Sequence, residues 1–98
     1  MIKTLYKLKS EVLVYSGMAS WRFLVIPKKE GEEIKKYFGP HAKGWGSIPV
    51  KVTIGKTEWK TSLFPDKKKG SYLLPLKAEV RKREGIGDEG RVEFVVKL

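Results

Sequence analysis

The chain has 98 residues, 21 Lys and Arg against 11 Asp and Glu, a net charge of +10, and no Cys, Asn or Gln. That length fits one domain, expected to span residues 1–98, because two would each be too small to bury a sufficient core. Without Cys there is no disulfide scaffold, thiolate metal site or cysteine nucleophile. No apolar run approaches the roughly 20 residues of a membrane-spanning helix, and Met1-Ile2-Lys3-Thr4-Leu5 lacks the apolar core of a secretory leader, so a cytoplasmic protein is expected.

Residues 2–15 alternate: Ile2, Tyr6, Leu8, Val12 and Val14 share one parity, and Lys3, Lys7, Lys9 and Glu11 the other. A period of two predicts a half-buried strand, long enough to bend or break near Ser10. Ser16-Gly17 reads as a turn, and Trp21 to Ile26 as a second strand stopped by Pro27. Over 31–38 the spacing of Ile34, Tyr37 and Phe38 predicts a two-turn helix, with Glu32 and Glu33 early and Lys35 and Lys36 late, as the helix dipole favours. Residues 39–47 read as an irregular Gly-rich loop.

A hairpin follows over 48–64. Val50, Val52 and Ile54 alternate with Lys51 and Thr53, Gly55-Lys56 fits a type II′ turn, and Thr57, Trp59 and Thr61 alternate with Glu58 and Lys60. This register sets Val52 opposite Trp59 and Lys51 opposite Lys60, with Glu58 diagonal to Lys51. Pro65 is expected to stop the strand. Asp66 to Gly70 reads as an exposed turn, Ser71 to Leu74 as a short strand, and 76–84 as a second short helix with Leu76 and Val80 inward. Gly85 closes that helix, followed by apolar Ile86. Arg91 to Leu98 is the last strand, with Val92, Phe94, Val96 and Leu98 on one face. The fold class is therefore all-β: a small closed or split β-barrel of six to seven strands with two short helices.

The charge is spread evenly, with nine basic and four acidic residues in 1–49 and twelve and seven in 50–98, so each half carries +5. Seventeen of the basic residues are Lys and nine of the acids are Glu. That bias, with Asn, Gln and Cys missing, is a thermophile-like composition, which accounts for part of the positive charge without any polyanion.

Several stretches together carry a resemblance: Trp21-Arg22-Phe23, Val25-Ile26-Pro27, Gly44-Trp45-Gly46-Ser47-Ile48-Pro49-Val50, Trp59-Lys60-Thr61-Ser62-Leu63-Phe64-Pro65, and Tyr72-Leu73-Leu74-Pro75-Leu76-Lys77 with Val80-Arg81-Lys82 and Gly85-Ile86. The chain resembles the small prokaryotic "domain of unknown function 1905" family. The resemblance implies a compact β-barrel and carries no defined activity or catalytic residue. The C-terminal third also resembles the strand–helix–turn of AbrB-type swapped-hairpin barrels, which implies an antitoxin-like, dimeric DNA-binding regulator as an alternative. Gly90-Arg91 stands where such barrels usually have Gly-Asp.

No enzyme is expected. Ser47, Ser62 and Ser71 would each need a base, and the one histidine, His41, sits in the Gly-rich loop. Gly85-x-Gly87-x-x-Gly90 follows a helix instead of opening one, so it is not a phosphate loop. No cofactor is expected, and no metal, since the carboxylates have no ligand spacing. The candidate contacts for an anion or nucleic acid are Lys77, Arg81, Lys82 and Arg91 around the second helix, and Lys51 and Lys60 on the hairpin. With no Asn or Gln to read adenine, nucleic-acid binding would be weak and non-specific. The alternative for all six is a solvated surface. A candidate small-ligand pocket joins Trp45, Ser62 and Tyr72, with Trp45 otherwise plugging a barrel end. Trp21 and Trp59 are expected to pack inside. The leading expectation is a binding module for an anionic partner, nucleic acid or protein, with monomer and homodimer both open.

Overall fold

A computed structural model describes residues 3–15 and 21–98; Ile2 and the expected Ser16-Gly17 turn lie outside the described residues. Six strands form one closed barrel: β1 (Leu5–Val14), β2 (Arg22–Val25), β3 (Ile48–Ile54), β4 (Thr57–Asp66), β5 (Ser71–Pro75) and β6 (Arg91–Lys97). Around the ring the order is β1-β2-β5-β4-β3-β6, and every neighbouring pair is antiparallel.

Two long strands make closure work. β1 pairs with β6 through Glu11 and with β2 from Val12, so it passes unbroken from one sheet to the other at the bend expected near Ser10. β4 does the same, pairing with β3 up to Leu63 and with β5 from Phe64. It therefore runs through Pro65, which was expected to end it. Proline is tolerated because β3 no longer flanks β4 there, so that edge needs no amide donor. The β3–β4 hairpin has the expected register, Val52 opposite Trp59 and Lys51 opposite Lys60, and Gly55 takes φ 57° in its turn. Lys51 Nζ lies 3.5 Å from Glu58, the diagonal contact that relieves the lysine pair.

The helices close opposite ends. α1 (Lys28–Phe38) follows β2 and sends the fully buried Ile34 into the core. It is three turns, longer than expected, because it starts directly after Pro27, whose extended conformation leads into it. Gly31 sits mid-helix despite a propensity cost of about 1 kcal/mol. A Cβ there would collide with Ser71 Oγ, which is fixed by donating to the Ile26 carbonyl at 2.7 Å. The Tyr6 hydroxyl donates to Glu33 at 3.3 Å, and burial, then the Glu33 charge, raises its pKa and keeps the proton in place.

α2 (Ala78–Glu84) follows β5 and places Val80 in the core. Leu76 and Lys77 lie before it, not within it, because the Leu76 amide still bonds the Arg22 carbonyl at 2.9 Å and extends the sheet. Gly85 ends the helix at φ 64°, and the Ile86 amide closes onto the Arg81 carbonyl, as the sequence pattern requires. Thr57 donates to Glu84 at 2.6 Å, tying the helix to the β3–β4 turn.

The interior is filled by inward residues of all six strands, among them Tyr6, Leu24, Val52, Leu63, Leu74 and Val96. Trp59 packs against this core, and its indole nitrogen is buried without a hydrogen-bond partner among the described residues. Trp21 is outside instead. The period of two sends Leu24 and Ile26 inward, so Trp21, Phe23 and Val25 face out, and Trp21 is 49% exposed.

Candidate functional site

At the α2 end, the junction of β2, β5 and α2 leaves a groove of about 300 Å³. Pro75, Leu76 and Ala78 give it apolar lining, Trp21 is its aromatic wall, and Arg22, Lys77 and Arg81 bring three cations to it. Lys77 precedes the helix and Arg81 sits one turn in, with the Arg81 amide bonded to the Lys77 carbonyl at 3.0 Å. The two side chains therefore line one groove, although Lys77 is not helical.

The cations differ in freedom. Arg22 forms a forked pair with Asp88, Nε at 2.7 Å and Nη2 at 3.2 Å. The hydrogen bond from Arg22 holds the Asp88 carboxyl below its usual pKa, with Arg81 adding to the effect, and the same bond raises Arg22. Arg81 Nε also donates to the Leu76 carbonyl at 3.3 Å, which holds one edge of its guanidinium against the groove. Lys77 is exposed and joins no ion pair among the described residues.

The other candidate cations do not converge here. Lys82 is exposed on α2 outside the groove lining. Arg91 is paired with Glu11 at 3.2 Å, and Lys51 with Glu58. Lys60 is exposed beside Lys51 on the hairpin, where outward residues of β3 and β4 meet.

The pocket of Trp45, Ser62 and Tyr72 is not assembled. Tyr72 is an inward residue, 5% exposed, with its pKa raised by burial, whereas Ser62 has the outward parity of β4. Trp45 plugs nothing: it is 96% exposed at φ 65° in the turn Gly44–Gly46. That turn is clamped by Lys43 N to the Ser47 carbonyl at 2.8 Å and by Gly46 packed on Pro65, so the indole points away. Ser47 donates to the Gly44 carbonyl and Ser71 to that of Ile26, while His41 is exposed in the turn Gly39–His41. Among the described residues no group of His, Asp or Glu could hold a metal, and no helix is long and apolar enough to cross a membrane.

Sequence reasoning missed the outer surface of β1, β2 and β5. Leu13 pairs with Phe23 and Phe23 with Pro75; Val25 pairs with Leu73 and Leu73 with Phe64, all with outward parity. Leu73 is only 7% exposed yet stands apart from the core cluster, so it is covered from outside the barrel. Trp21 stacks on Phe23 with ring centres 5.7 Å apart and planes within 10°, and Tyr15 packs tilted against Phe23 at 5.1 Å. The Tyr15 hydroxyl reaches Asp66 at 3.3 Å; burial, then the Asp66 charge, raises its pKa. The signal was present: Trp21-Arg22-Phe23-Leu24-Val25-Ile26 is nearly continuous in apolar residues, which marks a strand covered on both faces.

The family described as "Domain of unknown function (DUF1905)" matches residues 9–96. No curated protein matches the chain.

Proposed function

Since the chain belongs to the DUF1905 family, whose description assigns no activity, we propose from its own residues that it is a non-enzymatic binding module for an anionic partner, held at the groove between Trp21 and α2. The observation that carries this reading is the meeting of Arg22, Lys77 and Arg81 around an apolar lining beside an exposed indole. Apolar surface with a few converging charges is how ligand sites are built. A guanidinium is a planar set of donors suited to phosphate or carboxylate oxygens, and Lys77 adds an exposed charge that joins no ion pair among the described residues.

The test is calorimetric titration with inorganic polyphosphate at low and high salt. Binding is expected at low salt and should weaken as salt rises. Lys77→Glu, on an exposed side chain outside the core, should reduce it several-fold without changing the unfolding midpoint. Absence of binding at low salt overturns the reading.

A further inference from the structure

The groove at α2 does not end at Trp21. From there the outward aromatics Phe23 and Tyr15 continue across β2 and β1, and Tyr15 lines a second groove of about 610 Å³ at the other end of β5. That groove is walled by Lys67, Lys68 and Lys69 of the β4–β5 turn, with Leu73 on its apolar side. The lysines are exposed, and none forms a salt bridge among the described residues. Asp66, the acid beside them, is already engaged by the Tyr15 hydroxyl and the Lys68 amide. The Lys28 side chain lies beside Gly70 of the same turn.

The result is a track about 13 Å long, the span of β5, with cations at both ends and aromatic rings between. We propose that this track binds single-stranded nucleic acid, bases stacking on Trp21 and its neighbours while phosphates meet Lys77 and Arg81 at one end and Lys67–Lys69 at the other. The proposal rests on the anion-binding reading of the α2 groove and names its partner class. Three features favour this partner. One face of the Trp21 indole is held parallel on Phe23, and with half its surface exposed the other face is presented as a stacking platform. Stacking needs no Asn or Gln, which the chain lacks, because every base has a π-face. Lys77 at one end and Lys67–Lys69 at the other are exposed and join no ion pair among the described residues, so a second copy of the chain would set lysine against lysine.

The experiment uses the full chain and a fluorescently labelled oligothymidylate of about 12 nucleotides, followed by anisotropy at several salt concentrations. Polyphosphate, the matching duplex and polyglutamate serve as competitors. The single strand is expected to bind more tightly than duplex or polyphosphate. Trp21→Ala should weaken it about 10-fold, within the range for losing one stacked base, and should weaken polyphosphate binding much less. Trp21→Phe should retain most of the affinity and serves as the folded control. Lys68→Glu with Lys69→Glu should weaken binding and flatten the salt dependence. If single strand and polyphosphate bind alike and Trp21→Phe and Trp21→Ala match the parent, the nucleic-acid track is overturned and the anion groove stands. Equal binding of duplex overturns stacking. Tighter, Trp21-dependent binding of polyglutamate assigns the face to an acidic protein instead. If no polyanion binds at low salt, both readings fail.

Discussion

The barrel has two outer faces built by the same rule and finished with opposite chemistry. On the side of β6 and β3, outward positions are mostly charged: Lys9 pairs with Glu93, Arg91 with Glu11 and Lys51 with Glu58, beside the further lysines Lys7, Lys60 and Lys97. On the side of β2 and β5 they carry Leu13, Phe23, Val25, Leu73 and Phe64, overlaid by Tyr15 and Trp21, with charge only at the ends. β1 and β4 contribute to both faces and change character where they change partners. Net charge alone therefore says little about where a partner binds. A lysine with an acid across the strand is already satisfied, whereas one at the rim of an aromatic surface is not.

The comparison breaks first on stability. Leu73→Ala should cost about 2 kcal/mol, the loss of a covered leucine side chain, while Val95→Ala on the charged face should cost less than about 1 kcal/mol. Urea unfolding of the two variants checks this, and equal losses would mean that the aromatic face is not a packed layer. Trp21→Ala should lower stability by about 1 kcal/mol through the lost stack on Phe23; a Phe23→Leu cycle measured the same way isolates that term.

The Arg22–Asp88 pair sharpens the contrast through pH. The folded carboxyl is held below its ordinary pKa, so its contribution is complete above the unperturbed value of about 3.9 and disappears only as pH falls through the lower folded-state value. Asp88→Asn should therefore lower the unfolding midpoint at pH 7, and the difference from the parent should vanish in acid. The same substitution releases Arg22 to the groove and should strengthen polyphosphate binding in calorimetry. The smallest effect is expected for Lys51 and Glu58, where a double-mutant cycle should give no more than about 0.5 kcal/mol, fading with added salt.

Much of this was legible from sequence because alternation is a local property. The β3–β4 register, the Gly85 cap and a closed or split barrel of six to seven strands follow from period, turn residues and the need to cover edges in a short chain. Lys77 and Arg81 were found because chain proximity brings them together. The longer range failed where burial had to be assigned a side. Trp21, just before β2, and Tyr72, within β5, are both aromatic, and only the phase of the pleat sends one out and the other in. Trp45 is turned outward by the hydrogen bonds of its own loop and the contact of Gly46 with Pro65.

The sequence by itself determined the elements, the hairpin pairing and the inward stripe of each alternating strand, since each depends on residues a few positions apart. Only the tertiary structure decided that β1 and β4 would each bridge two sheets, that two helices would close opposite ends, and that Tyr15, Trp21 and Phe23 would meet on one face between two lysine-bearing grooves. Those contacts join β1, β2, β4 and β5 across up to 51 residues of chain, as between Tyr15 and Asp66. No local pattern specifies a contact that exists only once the barrel has closed.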